Sequence, residues 1–145
     1  MEQTSKELLL KDLCGRLPYG VKIAMPGLWD SKITIEPLNE IFKGDDDLFR
    51  VNGNGHCIEY IKPYLFPLSS MTKEQYEEWC NLEGEPLDEI LTRNSNGEKM
   101  STLEHHLLIA KSLIDPVNYC YKNHFDIYGL IPMGLAEDAT GKNIY

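Results

Sequence analysis

The pattern of apolar and polar positions near the start of the chain predicts a short helix. Leucines recur at helical spacing within residues 4–14, and Glu7 and Lys11 form an i, i+4 pair of opposite charge. Pro18 and Gly20 then interrupt the pattern, as residues that end helices do. We therefore expect one helix before the first strand.

The next stretch alternates apolar and polar side chains with a period of two, which is the period of a strand. The predicted strands are residues 21–25, 32–36, 48–51 and 56–61. Asn52-Gly53 supplies the positive φ angles of a tight hairpin turn. These short strands, within about residues 20–62, predict a small curled antiparallel sheet or a partly open barrel like a Src-homology-3 domain. A flat antiparallel sheet packed on helices is the alternative.

Helical features dominate residues 70–124. Thr72 and Gln75 form a capping box, so a helix should begin there and run to about Leu82. Its buried side is expected to carry Tyr76, Trp79 and Cys80. Residues 83–100 carry loop signals, whereas an apolar stripe over residues 102–114 predicts a second helix.

Asp115-Pro116 predicts the start of a further helix, which should end near Asn123 or His124. Residues 125–145 form an apolar tail without a helix or strand period, and we expect it to pack back on the body along an irregular path. Residues 63–67 are also expected to be extended and irregular, because a proline stands at each end. The sequence thus predicts one α+β domain, residues 1–145, in which the strand-rich part precedes packed helices and the tail.

The chain has 145 residues and a net charge of −9, and most of the excess negative charge lies in residues 73–98. An acidic surface repels phosphate, so direct binding of nucleic acid is not expected. A solvated helix face is the favoured interpretation of this charge, and a surface for a basic partner is the alternative.

Two further features bear on location. No run of about 18 apolar residues is present, so no membrane span is predicted. Residues 1–12 lack the basic start and long apolar run of a signal peptide, and we therefore expect a cytoplasmic protein. The four cysteines form no C-x-x-C pair and are expected to be buried free thiols.

Three segments carry a resemblance to a known family. They are residues 12–21, residues 62–72 (KPYLFPLSSMT) and residues 123–131 (NHFDIYGLI). In that order they resemble a family of small uncharacterised proteins of Bacteroides-type gut bacteria and their phages and prophages. The resemblance implies a phage-linked or mobile-element context, and it implies no activity, cofactor or catalytic residue.

The chain departs from that family at several positions. Gly15 stands where the family usually has alanine, and Ile127-Tyr128 stand where it has a tyrosine followed by an arginine. Residues 83–115 are unlike those of the usual members. The missing arginine weakens any role that the family would give to the loop around Tyr128.

The most enzyme-like polar cluster is His124 with Asp126, followed by Tyr128. Asp126 could orient the imidazole as a general base. The favoured alternative is a helix end, where His124 meets the last carbonyls and Asp126 makes a turn. No metal or cofactor is expected, because no histidines or cysteines have the spacing of a zinc site.

Two surfaces are candidate contacts with a protein partner. The aromatic segment, residues 60–67, forms a peptide-binding groove if exposed and the joint between sheet and helices if buried; we favour the joint. The acidic stretch, residues 74–89, is the second surface. The residues predicted to contact a partner are Tyr60, Tyr64, Phe66, Glu74, Glu77 and Glu78.

The leading functional hypothesis is a non-catalytic interaction or accessory module of phage or prophage origin that binds another protein. The alternative is an acidic decoy that mimics nucleic acid and blocks a DNA-binding protein. An enzyme centred on His124 and Asp126 is the most distant alternative.

Overall fold

The computed structural model describes residues 2–27, 29–53, 56–82 and 114–145. The chain divides into two compact units. The first comprises Met1–Ser70 and Tyr121–Tyr145, and the second comprises Met71–Cys120. The first unit therefore combines the beginning and the end of the chain.

The first unit begins with helix α1, Gln3–Arg16. Leu9 and Leu13, one turn apart on this helix, are fully buried. The helix predicted over residues 4–14 is confirmed. It continues to Arg16 because that side chain is also buried and held by tertiary contacts.

Among the described residues of this unit, seven short strands follow. In chain order they are β1 (Lys22–Pro26), β2 (Ile33–Pro37), β3 (Ile41–Lys43), β4 (Phe49–Val51), β5 (His56–Cys57), β6 (Lys62–Leu65) and β7 (Glu137–Asp138). The 3₁₀ turns are Leu17–Tyr19, Ile58–Tyr60 and Leu68–Ser70. The structure thus combines helices with mostly antiparallel strands, and the predicted α+β class is confirmed.

The strands form two small sheets, and neither closes into a barrel. The first has the order β2-β1-β6-β7, with β1 antiparallel to both of its neighbours and β7 parallel to β6. The second has the order β3-β4-β5 and is antiparallel throughout. Strand β2 therefore lies at the edge of the first sheet.

The hairpin turn between β4 and β5 is confirmed. Asn52 and Gly53 have φ angles of 52° and 66°, the left-handed conformation that a tight hairpin turn requires. The Asn52 amide also donates to the Pro37 carbonyl at 2.8 Å and accepts from the Asn39 N–H at 2.8 Å. These bonds tie the hairpin to the chain that leaves β2.

Two strand predictions differ from the structure. The strand predicted over residues 56–61 ends at Cys57, because Ile58 and Ile61 are both buried and a 3₁₀ turn places residues three apart on one side. Residues 62–65 form the interior strand β6, although residues 63–67 were expected to be extended and irregular rather than paired in a sheet. Strands β6 and β1 pair over only two residue pairs. Pro63, opposite Ile23, lies at one end of this short pairing, where a residue without an N–H fits.

The main core lies between α1 and the two sheets. Its buried residues are Leu9, Leu13, Val21, Ile23, Met25, Leu38, Val51, Ile58, Ile61, Leu65, Leu130, Leu135 and Ala136. The last three belong to the C-terminal tail. The prediction that the apolar tail packs back on the body is therefore confirmed.

The second unit contains helix α2, Lys73–Asn81. The predicted capping box is present: the Gln75 N–H donates to Thr72 Oγ1 at 3.1 Å, and Gln75 Oε1 accepts from the Thr72 N–H at 2.9 Å. The expected burial of Tyr76 is wrong, because its ring is exposed and stacks on Trp79. Trp79 and Cys80 are half-buried.

Residues 114–122 are helical, and the predicted end near Asn123 is confirmed. Ile114 is already helical, so Asp115 does not cap this segment as expected. Trp79 Nε1 donates to the Pro116 carbonyl at 3.3 Å, which links α2 to this segment. The loop predicted at residues 83–100 and most of the helix predicted at 102–114 lie outside the described residues.

Candidate functional site

A buried ion pair on α1 is the centre of the polar interior of the first unit. Asp12 and Arg16 are one turn apart and have no exposed surface. Arg16 Nε and Nη2 donate to the two Asp12 carboxylate oxygens at 2.7 and 2.9 Å, in the bidentate geometry that guanidinium groups favour. Burial raises the pKa of Asp12, and the hydrogen bonds from Arg16 oppose that rise.

Arg16 also binds the chain that returns from the second unit. Its Nη2 donates to the Phe125 carbonyl at 2.6 Å, and its guanidinium lies 5.0 Å from the centre of the Tyr121 ring. Tyr121 in turn shares a 3.3 Å hydrogen bond with Tyr128. One side chain of α1 therefore holds both the end of the helical segment and the start of the tail.

His124 lies directly after this helical end, in a left-handed conformation with a φ of 62°. Its N–H donates to the Tyr121 carbonyl at 3.1 Å, as expected of a residue that ends a helix. The imidazole stacks on Tyr145, with ring centres 3.9 Å apart and an angle of 9° between the planes. Burial, and then the charge of Arg16, lower the pKa of His124 to about 4, so the ring is neutral at pH 7.

Asp126 is buried, and its carboxylate organises the tail. Its two oxygens accept the N–H groups of Leu130 and Ile131 at 2.8 and 2.9 Å. Its own N–H donates to the Phe66 carbonyl at 2.8 Å. In the described structure Asp126 forms no hydrogen bond with His124, so the two residues are arranged as a helix end followed by a turn, which is the alternative that the sequence favoured.

Asp12, Arg16, His124 and Asp126 together form the Arg16 cluster. It brings together the three segments that carry the family resemblance, residues 12–21, 62–72 and 123–131. Phe66 and Phe125 form an isolated parallel β-bridge, and the Phe66 N–H donates to the His124 carbonyl at 2.9 Å. Tyr145 stacks on His124, and its hydroxyl donates to the Tyr64 carbonyl at 2.6 Å. The cluster is thus a joint between α1, β6 and the tail, with Asp12, Arg16 and Asp126 buried and His124 half-buried.

The sequence did not reveal the roles of Asp12 and Arg16. An i, i+4 pair of opposite charge is common on solvated helix faces, and nothing local distinguishes this one. The available signal was position. Asp12 lies three residues after Leu9 and directly before Leu13, and Arg16 lies three residues after Leu13; both leucines belong to the buried stripe.

The aromatic segment does not form one surface. Tyr60 is 63% exposed, whereas Tyr64 is buried and Phe66 is half-buried. Phe66 packs against the rings of Phe125 and Tyr145, at centre-to-centre distances of 6.5 and 5.8 Å. Tyr64 and Phe66 thus belong to a joint, as favoured, although the tail rather than a helix covers it.

The predicted acidic contacts lie on α2. Glu74, Glu77 and Glu78 are exposed. Glu78 accepts a hydrogen bond from the Tyr119 hydroxyl at 2.8 Å. Burial and this bond raise the pKa of Tyr119 to about 12. These carboxylates form part of an acidic face on the second unit.

A third surface was not predicted. It consists of Trp29, Ile33 and Ile35, which are 97%, 61% and 48% exposed, and we call it the hairpin surface because it lies on the β1–β2 hairpin. Opposed residues of an antiparallel pair share a face of the sheet, so Ile35 lies on the same face as Ala24. The strand itself was expected, but its exposed edge position depends on pairing that the sequence does not specify.

In the described parts of the chain, no group of three or more histidine, cysteine or acidic side chains is placed to hold a metal ion. No helix among the described residues is long and apolar enough to cross a membrane.

None of the four cysteines forms a disulfide bond. The expectation that they are buried holds for Cys120 alone. Cys14 is exposed, and Cys57 and Cys80 are half-buried.

Comparisons of the chain with protein-family models, with curated proteins and with solved structures found no match. The family resemblance of residues 12–21, 62–72 and 123–131 therefore stays a prediction. What the structure adds is that these segments meet in the Arg16 cluster, where their polar side chains hold the fold together.

Proposed function

We propose that this protein is a non-catalytic interaction module that binds another protein, in the phage or prophage context that its resemblance implies. The state of the Arg16 cluster supports the non-catalytic part. Its carboxylates are engaged by Arg16 and by main-chain N–H groups, and the imidazole of His124 lies under Tyr145. Catalysis needs such groups to reach a substrate, whereas here both carboxylates are hydrogen-bonded inside the fold and the imidazole is stacked and half-buried.

The hairpin surface is the observation that carries the binding part of the proposal. Single exposed apolar residues are ordinary on proteins, but the β1–β2 hairpin carries three of them, a tryptophan in its connecting turn and two isoleucines on one strand. Tryptophan is also enriched among the residues that dominate binding energy at interfaces. An edge strand with such side chains suits a partner that presents an extended apolar segment, which adds a strand to the sheet.

The test compares two full-length variants in quantitative affinity purification from host lysate. Trp29→Ser with Ile33→Thr removes the two most exposed apolar side chains of the hairpin surface, and Glu74→Gln with Glu77→Gln and Glu78→Gln is the matched control on the second unit. We expect the first variant to lose the proteins that the wild type enriches and the control to retain them. Identical sets of enriched proteins for the wild type and the hairpin variant, with unchanged circular dichroism spectra, would refute the proposal.

The second candidate function is the acidic decoy. It is favoured by the three exposed glutamates within one stretch of α2 and by the net charge of −9. The same experiment separates it from the first proposal. A decoy would lose its partner in the α2 variant, would release that partner as salt increases, and would compete with duplex DNA for it.

A further inference from the structure

The outer edge of β2 has a defined set of unpaired main-chain groups. The Gly27 N–H donates to the Lys32 carbonyl, and the Leu38 N–H donates to the Val21 carbonyl, both at 2.8 Å. Because main-chain direction alternates along a strand, Thr34 and Glu36 direct their N–H and C=O groups to β1. The Lys32 carbonyl points the same way, and the Lys32 N–H donates to Asp30 Oδ1 at 3.3 Å. Ile33 and Ile35 therefore direct theirs outward, where the described structure contains no neighbouring strand.

This edge is short and bounded. Pro37 occupies the next outward position and has no N–H, so a ladder of hydrogen bonds cannot continue past it with full pairing. A lysine stands at the other end, and charged ends are a common way to limit pairing at exposed sheet edges. The edge can thus accept about five residues of another strand.

We propose that this edge pairs with the same edge of a second copy of the chain, antiparallel, about a two-fold axis at Thr34. In that register Ile33 lies opposite Ile35 of the second copy. Each such pair exchanges two main-chain hydrogen bonds, and the two-fold axis creates two such pairs. The inference rests on the proposed function in one respect, that the hairpin surface binds protein, and it names a second copy of this chain, rather than a different protein, as what binds there.

Charge complementarity selects this occupant. In the same register Lys32 lies opposite Glu36 of the second copy, at both ends of the ladder. Neither residue forms an ion pair in the part of the chain that the structure describes. The sequence Lys-Ile-Thr-Ile-Glu is therefore complementary to itself only when the two strands are antiparallel, because parallel pairing would place like charges side by side.

The apolar side chains agree with the same register. Ile33 and Ile35 share one face of β2, so two copies place four isoleucines side by side on that face. The exposed isoleucines of one copy would then cover those of the other. A contact of about five residues per copy is smaller than a standard interface, so we expect a weak dimer that forms as concentration rises.

Sedimentation velocity of the full chain over about a hundredfold range of concentration tests the association. We expect the mass of the wild type to rise from 16.6 kDa toward twice that value. The variants Lys32→Glu and Glu36→Lys change the net charge in opposite directions, yet each places like charges opposite one another at both ends. Each should raise the dissociation constant about tenfold or more. Lys32→Glu with Glu36→Lys should restore it.

A cross-linking variant gives a second readout. Thr34 lies opposite itself at the axis, in a pair without main-chain hydrogen bonds between the copies, where Cα atoms are about 4.5 Å apart and a disulfide can form. Thr34→Cys should give a disulfide-linked dimer under mild oxidation. Lys32→Cys is the matched control, because its sulfur would face Glu36, and it should cross-link no faster than the wild type.

Three results would overturn the inference. They are a wild-type mass that stays at 16.6 kDa throughout, single charge variants that associate as the wild type does, and equal cross-linking of the two cysteine variants. In each case, loss of a lysate partner from the Trp29→Ser, Ile33→Thr variant would leave the proposed function standing with a different partner.

Discussion

Replacing Asp12 by alanine leaves a buried guanidinium without its carboxylate. Arg16 would lose the two hydrogen bonds of 2.7 and 2.9 Å and would retain the bond to the Phe125 carbonyl. Breaking a buried pair in this way costs about 3–5 kcal/mol, because an uncompensated charge remains in the interior. A domain is stabilised by only about 5–15 kcal/mol in total, so this variant should be close to unfolding.

Urea denaturation, followed by circular dichroism, measures that loss. A double variant, Asp12→Leu with Arg16→Met, is the informative comparison, because it removes both charges and fills a similar volume. We expect the double variant to be more stable than Asp12→Ala by about 2 kcal/mol or more. Lys6→Gln, which breaks the partly exposed ion pair with Glu59, should have little effect. An Asp12→Ala variant as stable as Lys6→Gln would refute the importance of the buried pair.

Three further predictions concern the same unit. Gly15→Ala should lower stability by about 1–3 kcal/mol in urea, despite alanine's higher helix propensity, because its Cβ would lie 2.5 Å from the Tyr121 ring. The folded state holds the pKa of His124 at about 4, below its usual 6.5, so between these two pH values the unfolded chain binds a proton that the folded protein does not. The melting temperature of the wild type should therefore fall as the pH drops from 6.5 toward 4, and that of His124→Phe should fall less. Deleting residues 129–145 should give an aggregated or molten protein by size-exclusion chromatography, because Leu130 is core.

Each of these has an outcome that contradicts it. Gly15→Ala should become stabilising when Tyr121 is also replaced by alanine, and a persistent loss would show that the ring is not the cause. Identical pH profiles for the wild type and His124→Phe would show that His124 is not buried in the neutral form. A truncated chain that melts cooperatively near the wild-type temperature would make the tail dispensable.

The features predicted correctly are those that local chemistry determines. The hairpin turn follows from Asn52-Gly53, and the start of α2 follows from the capping box of Thr72 and Gln75. Both depend on residues within a few positions of one another, which a sequence displays directly. The length of α1 was predicted less well, because Arg16 is held by Phe125, far away in sequence.

The candidate site was harder to predict for the same reason. The aromatic segment contains an exposed Tyr60 and a buried Tyr64, and the difference depends on the tail, because Tyr64 packs with Ala139 and Ile144. No local pattern specifies which residues of a distant tail will cover a given ring. The same holds for the buried Asp12, which the sequence shows as an ordinary i, i+4 partner of Arg16.

The hairpin surface is the clearest case in which packing overrides a local pattern. A strand with isoleucines on one face and Lys32, Thr34 and Glu36 on the other would be expected to turn its isoleucines to the core. The structure places Thr34 opposite Met25, which is core, and leaves the isoleucines on the other face. Shifting the register by one residue would exchange the two faces. Leu38 opposes that shift, because it is buried in the core and its N–H is bound to Val21.

The burial of Leu38 thus determines the register of β2, and exposure of Ile33 and Ile35 is the consequence. Such an edge invites uncontrolled pairing unless its length is limited. Lys32 and Pro37 provide that limit, since one carries a charge and the other lacks an N–H. An edge that is apolar in the middle, closed at both ends and complementary in charge to itself favours one finite antiparallel contact over open-ended association. These features favour a second copy of this chain over any other strand as the segment that pairs with the edge of β2.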